Sequence, residues 1–283
     1  MLTLKTISEL TRKIQEIKSQ KKTIGFVPTM GFLHKGHLNL IQESIKSADF
    51  TVVSIFVNPA QFNDPKDFEK YPRNTEEDII KCQDGGADMV FLPAAWEIYP
   101  AEEAKVELRI PHLMKNLCAT TRPGHFEGVL LVISKFFHLI QPDIAFFGKK
   151  DYQQYLIVKE FSKILHFPVI VKGIDTIREE DGLAMSSRNA RLNPMAREAA
   201  NLIYRALKIS NEMIESNELD VKIIKEVISD IIHSSPLTKI DYLEIVNPIS
   251  LEPLERIHQE CLISTAVFVD GIRLIDNILC KAI

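Results

Sequence analysis

The sequence predicts an α/β protein: a Rossmann-like parallel sheet with helices on both faces, followed by a smaller C-terminal α+β domain. Three observations predict it. Between residues 23 and 174, short apolar runs alternate with stretches of helical period, the signature of a parallel sheet covered on both sides. A strand, a glycine-containing turn and a helix follow one another within residues 23–45. After about residue 176 the order changes to helices and then strands, the mark of a separate α+β unit. The expected domains are therefore residues 1–176 and residues 177–283.

Each element has its own warrant. Residues 1–22 alternate charged and apolar residues at helical spacing. Residues 23–27 are a buried-strand run, and Leu38, Ile41 and Ile45 give the next helix its period. Residues 51–57 form a continuous apolar run that Asn58-Pro59 breaks. Residues 75–83 read as a helix ended by Gly85-Gly86, residues 88–92 as a strand closed by Pro93, and residues 106–110 as a short strand. Residues 128–140 are apolar nearly all round, so this helix is expected to be buried. A strand at 143–147, a helix at 151–165 and a strand at 169–174 complete the alternation. Two helices (194–214 and 219–234) and three strands (241–246, 261–269 and 272–276) make up the rest. Ligands of parallel sheets sit beyond the carboxyl ends of the strands. Met30, Gln61 and Gly148 all follow predicted strands.

Composition narrows the class. Hydrophobic residues at 46% and charged residues at 25% are ordinary for a globular protein. A net charge of -4 argues against a broad nucleic-acid surface. Cys82, Cys118, Cys261 and Cys280 form no Cys-x-x-Cys pair, so buried free thiols in a reducing cytosol are expected rather than a zinc knuckle. No run is long enough to span a membrane. The reading is therefore a cytoplasmic protein that engages neither membrane nor nucleic acid.

The most informative segment is Pro28-Thr29-Met30-Gly31-Phe32-Leu33-His34-Lys35-Gly36-His37. A strand–turn–helix points backbone N–H groups at a phosphate. Two histidines three apart at the helix start share a face, and Gly36 leaves the backbone there uncovered. Paired imidazole donors suit the charge that builds on an α-phosphate and a leaving pyrophosphate. As zinc ligands they lack a third Cys or His nearby. Met185-Ser186-Ser187-Arg188 offers hydroxyls and a guanidinium to phosphate oxygens, or else a surface loop with a helix cap. Lys150 follows a strand at a helix start, where a lysine reaches phosphates, and Asp151 can cap that helix. Gln61 and Gln154 both donate and accept, which fits a hydroxylated acid.

The string from Phe26 to His37 resembles the pantothenate synthetases (pantoate–β-alanine ligases) of the His-x-Gly-His nucleotidylyltransferase superfamily. The resemblance extends, in family order, to Phe56-Val57-Asn58-Pro59-Ala60-Gln61-Phe62, Arg122-Pro123-Gly124-His125-Phe126, Lys150-Asp151-Tyr152-Gln153-Gln154 and Met185-Ser186-Ser187-Arg188-Asn189. It implies that His37, His34 and Lys150 are catalytic. It implies ATP contacts at Met30, Gly31, His34, His37, Gly148, Lys149, Lys150, Asp151, Ile177, Met185, Ser186, Ser187 and Arg188. Gln61 and Gln154 would hold pantoate, with Asn58, His125 and Arg122 in the same pocket. Lys149 stands where the family usually has glutamate, so the functional lysine is assigned to Lys150. Phe32, Lys35 and Leu131 also depart from the pattern.

The implied reaction joins pantoate to AMP, releasing pyrophosphate, and then lets β-alanine attack the pantoyl adenylate to give pantothenate, a coenzyme A precursor. ATP brings Mg2+, whose ligands the sequence does not identify. The resemblance also implies a homodimer. The alternatives are a nucleotidylyltransferase acting on a small phosphorylated acceptor, which needs a basic acceptor site, and an ATP-sensing module, which would not need an intact signature. A tRNA-charging enzyme would need an anticodon-binding extension.

Overall fold

The computed structural model describes residues 1–101 and 106–282. In chain order its strands are β1 (Leu2–Leu4), β2 (Ile24–Thr29), β3 (Phe50–Ile55), β4 (Met89–Phe91), β5 (Ile144–Gly148), β6 (Ile170–Ile174), β7 (Thr238–Val246), β8 (Glu260–Val269) and β9 (Ile272–Lys281). Its helices are α1 (Ile7–Ser19), α2 (Lys35–Ile45), α3 (Pro65–Glu69), α4 (Thr75–Asp84), α5 (Ala95–Ile98), α6 (Cys118–Thr121), α7 (His125–Ile140), α8 (Tyr152–Ile164), α9 (Pro194–Glu215) and α10 (Val221–His233). Two compact units result. The first comprises Met1–Ile110, Pro123–Lys149 and Gln154–Asp175; the second comprises Pro111–Arg122, Lys150–Gln153 and Thr176–Ile283.

Among the described residues of the first unit, six strands form a parallel sheet in the order β1-β4-β3-β2-β5-β6. Alternate residues serve opposite faces, as a period of two requires. Phe26, Val52, Met89 and Phe147 pack with Leu10 and Ile14 of α1 and with Val129, Ile133 and Phe136 of α7. Val27, Val53, Val90 and Phe146 pack with Leu40 and Ile41 of α2 and Cys82 of α4. The predicted buried helix is α7, whose Phe136 edge meets the rings of Phe26, Phe56 and Phe91. From β2 the chain steps to β3 and β4, then returns to β5 on the other side of β2. The strand order therefore reverses at β2 and β5, and ligand sites of open α/β sheets lie beside such a reversal.

In the second unit, α9 and α10 cover an antiparallel sheet β7-β8-β9. Ala200, Ile203, Leu207, Ile224, Ile228, Ile263 and Val267 are shared in one core. Cys261 and Cys280 face each other across β8 and β9, and all four cysteines are buried free thiols.

Three expectations are corrected. The helical reading of residues 1–22 missed β1, which pairs with β4 before α1 begins at a Thr6/Glu9 capping box. Residues 106–110 form no strand; they run irregularly into a 3₁₀ turn at Pro111–Leu113. The last strand does not stop at Asp276 but continues to Lys281, because Asp276 and Asn277 are buried there. Among the described residues, no helix is long and apolar enough to cross a membrane.

Candidate active site

In the first unit, the predicted site residues gather at the carboxyl ends of β2, β3 and β5. Met30 leaves β2 and enters a turn in which Gly31 has φ +80° and Phe32 φ +51°. A side chain at Gly31 would need a left-handed backbone and would bring its Cβ 2.9 Å from Asp78 Oδ2. The turn is held from α4. Asp78 is 2% exposed; its Oδ2 accepts the Phe32 N–H at 2.7 Å and its Oδ1 the Leu33 N–H at 2.6 Å. Lys81 donates to the Leu33 carbonyl at 2.8 Å and pairs with Glu77 at 2.7 Å. Beside them, burial first and the Asp78 charge second push the Cys82 thiol up to about 12.

His34 is the N-cap of α2, and His37 completes a capping box with it. His34 Nδ1 accepts from the Gly36 N–H at 3.2 Å, and His37 Nδ1 accepts from the His34 N–H at 3.3 Å. A neutral ring whose Nδ1 accepts carries its proton on Nε2. Both rings therefore present an Nε2–H donor on the side away from the backbone. Their centroids lie 4.0 Å apart. The N–H groups of His34, Gly36, His37 and Leu38 are bonded within the turn, so the helix start adds chiefly the positive end of its dipole.

After β3, Asn58 caps a 3₁₀ turn, Pro59–Gln61. Asn58 is 1% exposed. It donates to Gln61 Oε1 and Gly128 O, both at 3.0 Å, and accepts from the Ala60 N–H and from Tyr99 Oη. Gln61 Nε2 donates to Met30 Sδ at 3.1 Å. His125 Nδ1 meets the Gln61 carbonyl at 2.8 Å. A Cβ on Gly128 would lie 2.1 Å from Ala60 O, so only glycine lets α7 pack against this turn. Asn58 and His125 thus brace Gln61. Gly148 ends β5, and Lys149 Nζ, on a side chain 37% exposed, pairs with Asp175 at 2.8 Å. Gln154 is half-buried on α8.

The second unit carries the remaining candidates. Lys150 Nζ lies 3.9 Å from Asp151 Oδ2, and the Lys150 carbonyl accepts from Asn277 Nδ2 at 2.8 Å. The neighbouring Gln153 is committed internally: it accepts from the Cys118 N–H and donates to the carbonyls of Leu113 and Asn116. Ile177 and Met185 face each other in a short ribbon, with Met185 N–H donating to Ile177 O at 3.0 Å. Arg178 anchors the ribbon through two bonds to Asp276, at 2.6 and 3.0 Å, and lies 4.2 Å from the centre of the Tyr204 ring. Burial holds the Asp276 carboxyl above the usual carboxylate range, and Arg178 offsets only part of that rise. At the ribbon tip, the hydrogen bond from Arg197, helped by Asn201, holds the Asp181 carboxyl down at about 2. Ser186 caps the turn Ser187–Arg191 by accepting from the Arg188 N–H at 3.2 Å. Ser187 is buried.

The sequence offers no metal-site spacing at Asp78 and no role for Lys81, Tyr99, Arg178 or Asp276. One signal was available for Asp78: it stands four residues before Cys82, on the face of α4 that is otherwise buried. A carboxylate on such a face needs a partner.

Comparison with known proteins identifies the family. The family model for pantoate-beta-alanine ligase matches residues 2–279. The pantothenate synthetase of Leptospira interrogans is 52% identical over 278 residues, covering 98% of each chain. The crystal structure of pantothenate synthetase from Thermus thermophilus superposes with a TM-score of 0.92 at 39% identity, covering 98% of this chain and 99% of that one. A pantoate-beta-alanine ligase structure from Francisella tularensis, complexed with beta-gamma ATP and beta-alanine, matches with a TM-score of 0.82 at 30% identity, covering 99% and 97%. With the match running almost end to end, the chain belongs to the pantoate-β-alanine ligase family.

Proposed function

We propose a division of labour for the reaction that family membership assigns to this chain, the ATP-dependent condensation of pantoate with β-alanine to pantothenate. In the first step a pantoate carboxylate oxygen bonds to the α-phosphorus of ATP, and the bond to pyrophosphate breaks. In the second, the unprotonated amine of β-alanine bonds to the acyl carbon of pantoyl adenylate, the bond to AMP breaks, and the nitrogen gives up one proton to solvent as the amide forms. The observation that carries the assignment is the pair of imidazoles at the start of α2 whose Nδ1 atoms both accept backbone N–H groups, which leaves each Nε2 to donate. His37 donates to the phosphate oxygens as their charge grows, and His34 orients the nucleotide; both act as preorganised donors.

Met30, Gly31, Gly148, Lys149, Lys150, Asp151, Ile177, Met185, Ser186, Ser187 and Arg188 make up the proposed ATP set. Lys150 and Arg188 are its cations toward the phosphates. In this reading residues 1–176 bind ATP and pantoate, and residues 177–283 bring the Ser-Ser-Arg segment over the nucleotide. Gln61 and Gln154 hold the pantoate hydroxyls and carboxylate, with Asn58 and His125 behind Gln61. The Francisella protein's complex with beta-gamma ATP and beta-alanine supports the same two ligands here.

Mg2+ is proposed to ride on the ATP phosphates. Among the described residues, no three His, Cys, Asp or Glu side chains gather around an ion position, and magnesium held by nucleotide keeps mostly phosphate and water oxygens. The family resemblance supports a homodimer, which light scattering tests. Four buried thiols fit a reducing cytoplasm.

The assignment is tested by pyrophosphate exchange. With pantoate, Mg2+ and ATP alone, labelled pyrophosphate is expected to enter ATP. β-Alanine is required only for AMP release at turnover rates. A pantoate analogue without hydroxyls supports exchange poorly, because the amides lose their partners. Exchange that needs no pantoate, or that a nucleotide drives better, contradicts the proposal.

A further inference from the structure

We infer that Asp78 is a positioning residue for adenylyl transfer, setting the orientation and tautomer of His37 through the backbone of residues 32–34. The inference rests on the proposed role of His37. Asp78 sits at the start of α4 and sends both carboxylate oxygens to consecutive N–H groups, those of Phe32 and Leu33. Two consecutive N–H groups converge on one carboxylate only where the backbone curls back on itself, and here Gly31 and Phe32 both lie in the left-handed region. Lys81, one turn further along α4, takes the carbonyl of Leu33. The peptide groups on both sides of Leu33 are therefore held by α4, and the Leu33 side chain is buried in the apolar cluster beneath.

The next residue is His34, whose own N–H donates to His37 Nδ1. That bond is what places the His37 proton on Nε2. A chain of contacts thus runs from a buried carboxylate, through two peptides, to the tautomer of the histidine that donates to phosphate. No substrate contact by Asp78 is involved.

The molecule contains its own control. Asp49, Asp88 and Asp143 also accept backbone N–H bonds, from Thr23, Thr51 and Ile24. These three precede β3, β4 and β5, at the amino ends of the strands, away from the histidine turn. Asp88 is half-buried and accepts one backbone N–H, that of Thr51, at 2.8 Å, the same kind of bond that Asp78 makes twice. Loss of Asp88 disturbs the sheet without touching the turn.

The experiment compares Asp78→Asn, Lys81→Gln and Asp88→Asn in the full chain. Steady-state and pyrophosphate-exchange kinetics are combined with the ¹⁵N shifts of labelled histidine. An amide at position 78 turns an N–H donor toward one of the two backbone donors. The expected result is a fall in kcat of about 10- to 100-fold, with KM for pantoate within roughly threefold, the scale of a catalytic group displaced by about 1 Å. The His37 shifts are expected to leave the Nε2–H pattern for a tautomer mixture. Asp88→Asn keeps kcat and His37 shifts near wild type, even where its melting temperature falls as far.

Wild-type kcat and shifts in Asp78→Asn overturn the inference. So does an equal loss of kcat in Asp78→Asn and Asp88→Asn at equal stability, which assigns Asp78 a structural role alone. If Asp78→Asn does not fold, Lys81→Gln decides: a several-fold drop in kcat with shifted His37 resonances supports the inference, and wild-type values overturn it. Failure of the functional reading is separate: wild-type enzyme then shows no pantoate-dependent exchange, while the tautomer comparison still reports on Asp78.

Discussion

The turn at residues 30–37 and the ribbon at residues 177–185 are both held by a buried carboxylate, but in different ways. Asp78 accepts backbone N–H groups directly, so the turn it holds is shaped peptide by peptide. Asp276 is bonded to a guanidinium, and Arg178 carries the constraint on to the Gly182 carbonyl and the Tyr204 ring. The first arrangement spreads its restraint over several short contacts. The second adds a buried ion pair to the ribbon's own backbone bonds and to the Asp181 anchor at its tip. The difference is one of cost: loss of a carboxylate frees two backbone N–H groups in the turn, whereas loss of Arg178 strands a buried carboxylate in the ribbon.

The largest expected effect breaks that ion pair. Arg178→Met leaves the Asp276 carboxylate buried without its cation, a change that costs about 3–5 kcal/mol. Urea denaturation measures it, and a loss below about 1 kcal/mol would show that the ribbon is held in some other way. Next is His37→Ala, expected to lower kcat by about 10²–10³ with the fold intact, as for removal of one preorganised donor. Near-normal turnover in that variant removes His37 from the mechanism.

A third substitution series separates neighbouring glutamines. Gln61→Ala and Gln154→Ala should weaken pantoate use by about 1–3 kcal/mol while leaving ATP affinity nearly unchanged. Gln153→Ala should instead lower stability, because its amide serves Cys118, Leu113 and Asn116. Equal losses for ATP and pantoate in the first two variants contradict their assignment. The smallest effect belongs to Lys149→Glu. Its ammonium pairs with an exposed Asp175, and such a pair is worth about 0–1 kcal/mol. The change in kcat/KM for ATP should therefore stay under roughly tenfold, whereas Lys150→Ala should do far more damage; the reverse order moves the phosphate contact to Lys149.

Legibility in the sequence followed the range of the interactions. The histidine turn was readable because Gly31, the capping pair and the flanking apolar runs all lie within a few residues of one another. The alternating core was readable from its period. β1 was not, because three residues are too few to show a pattern beside a helix. β9 was cut short because Asp276 and Asn277 look like a polar end, and their burial depends on Arg178, 98 residues earlier. Asp78 carried no motif because its partners are backbone groups 45 and 46 residues away, and any residue but proline there would supply the same N–H. Tyr99 was hidden for a similar reason: its hydroxyl serves Asn58 from 41 positions away.

In the proposed order of steps, adenylate formation depends on His37 and on Arg188 and precedes any use of β-alanine. Rapid-quench measurement of a single turnover tests it directly. Enzyme is mixed with ATP, Mg2+ and pantoate, and pyrophosphate is followed before β-alanine is added. The expected result is a burst of pyrophosphate matching the active sites, slowed by about 10²–10³ in His37→Ala and strongly slowed in Arg188→Ala. No pyrophosphate until β-alanine arrives, or a burst that both variants leave unchanged, would contradict it.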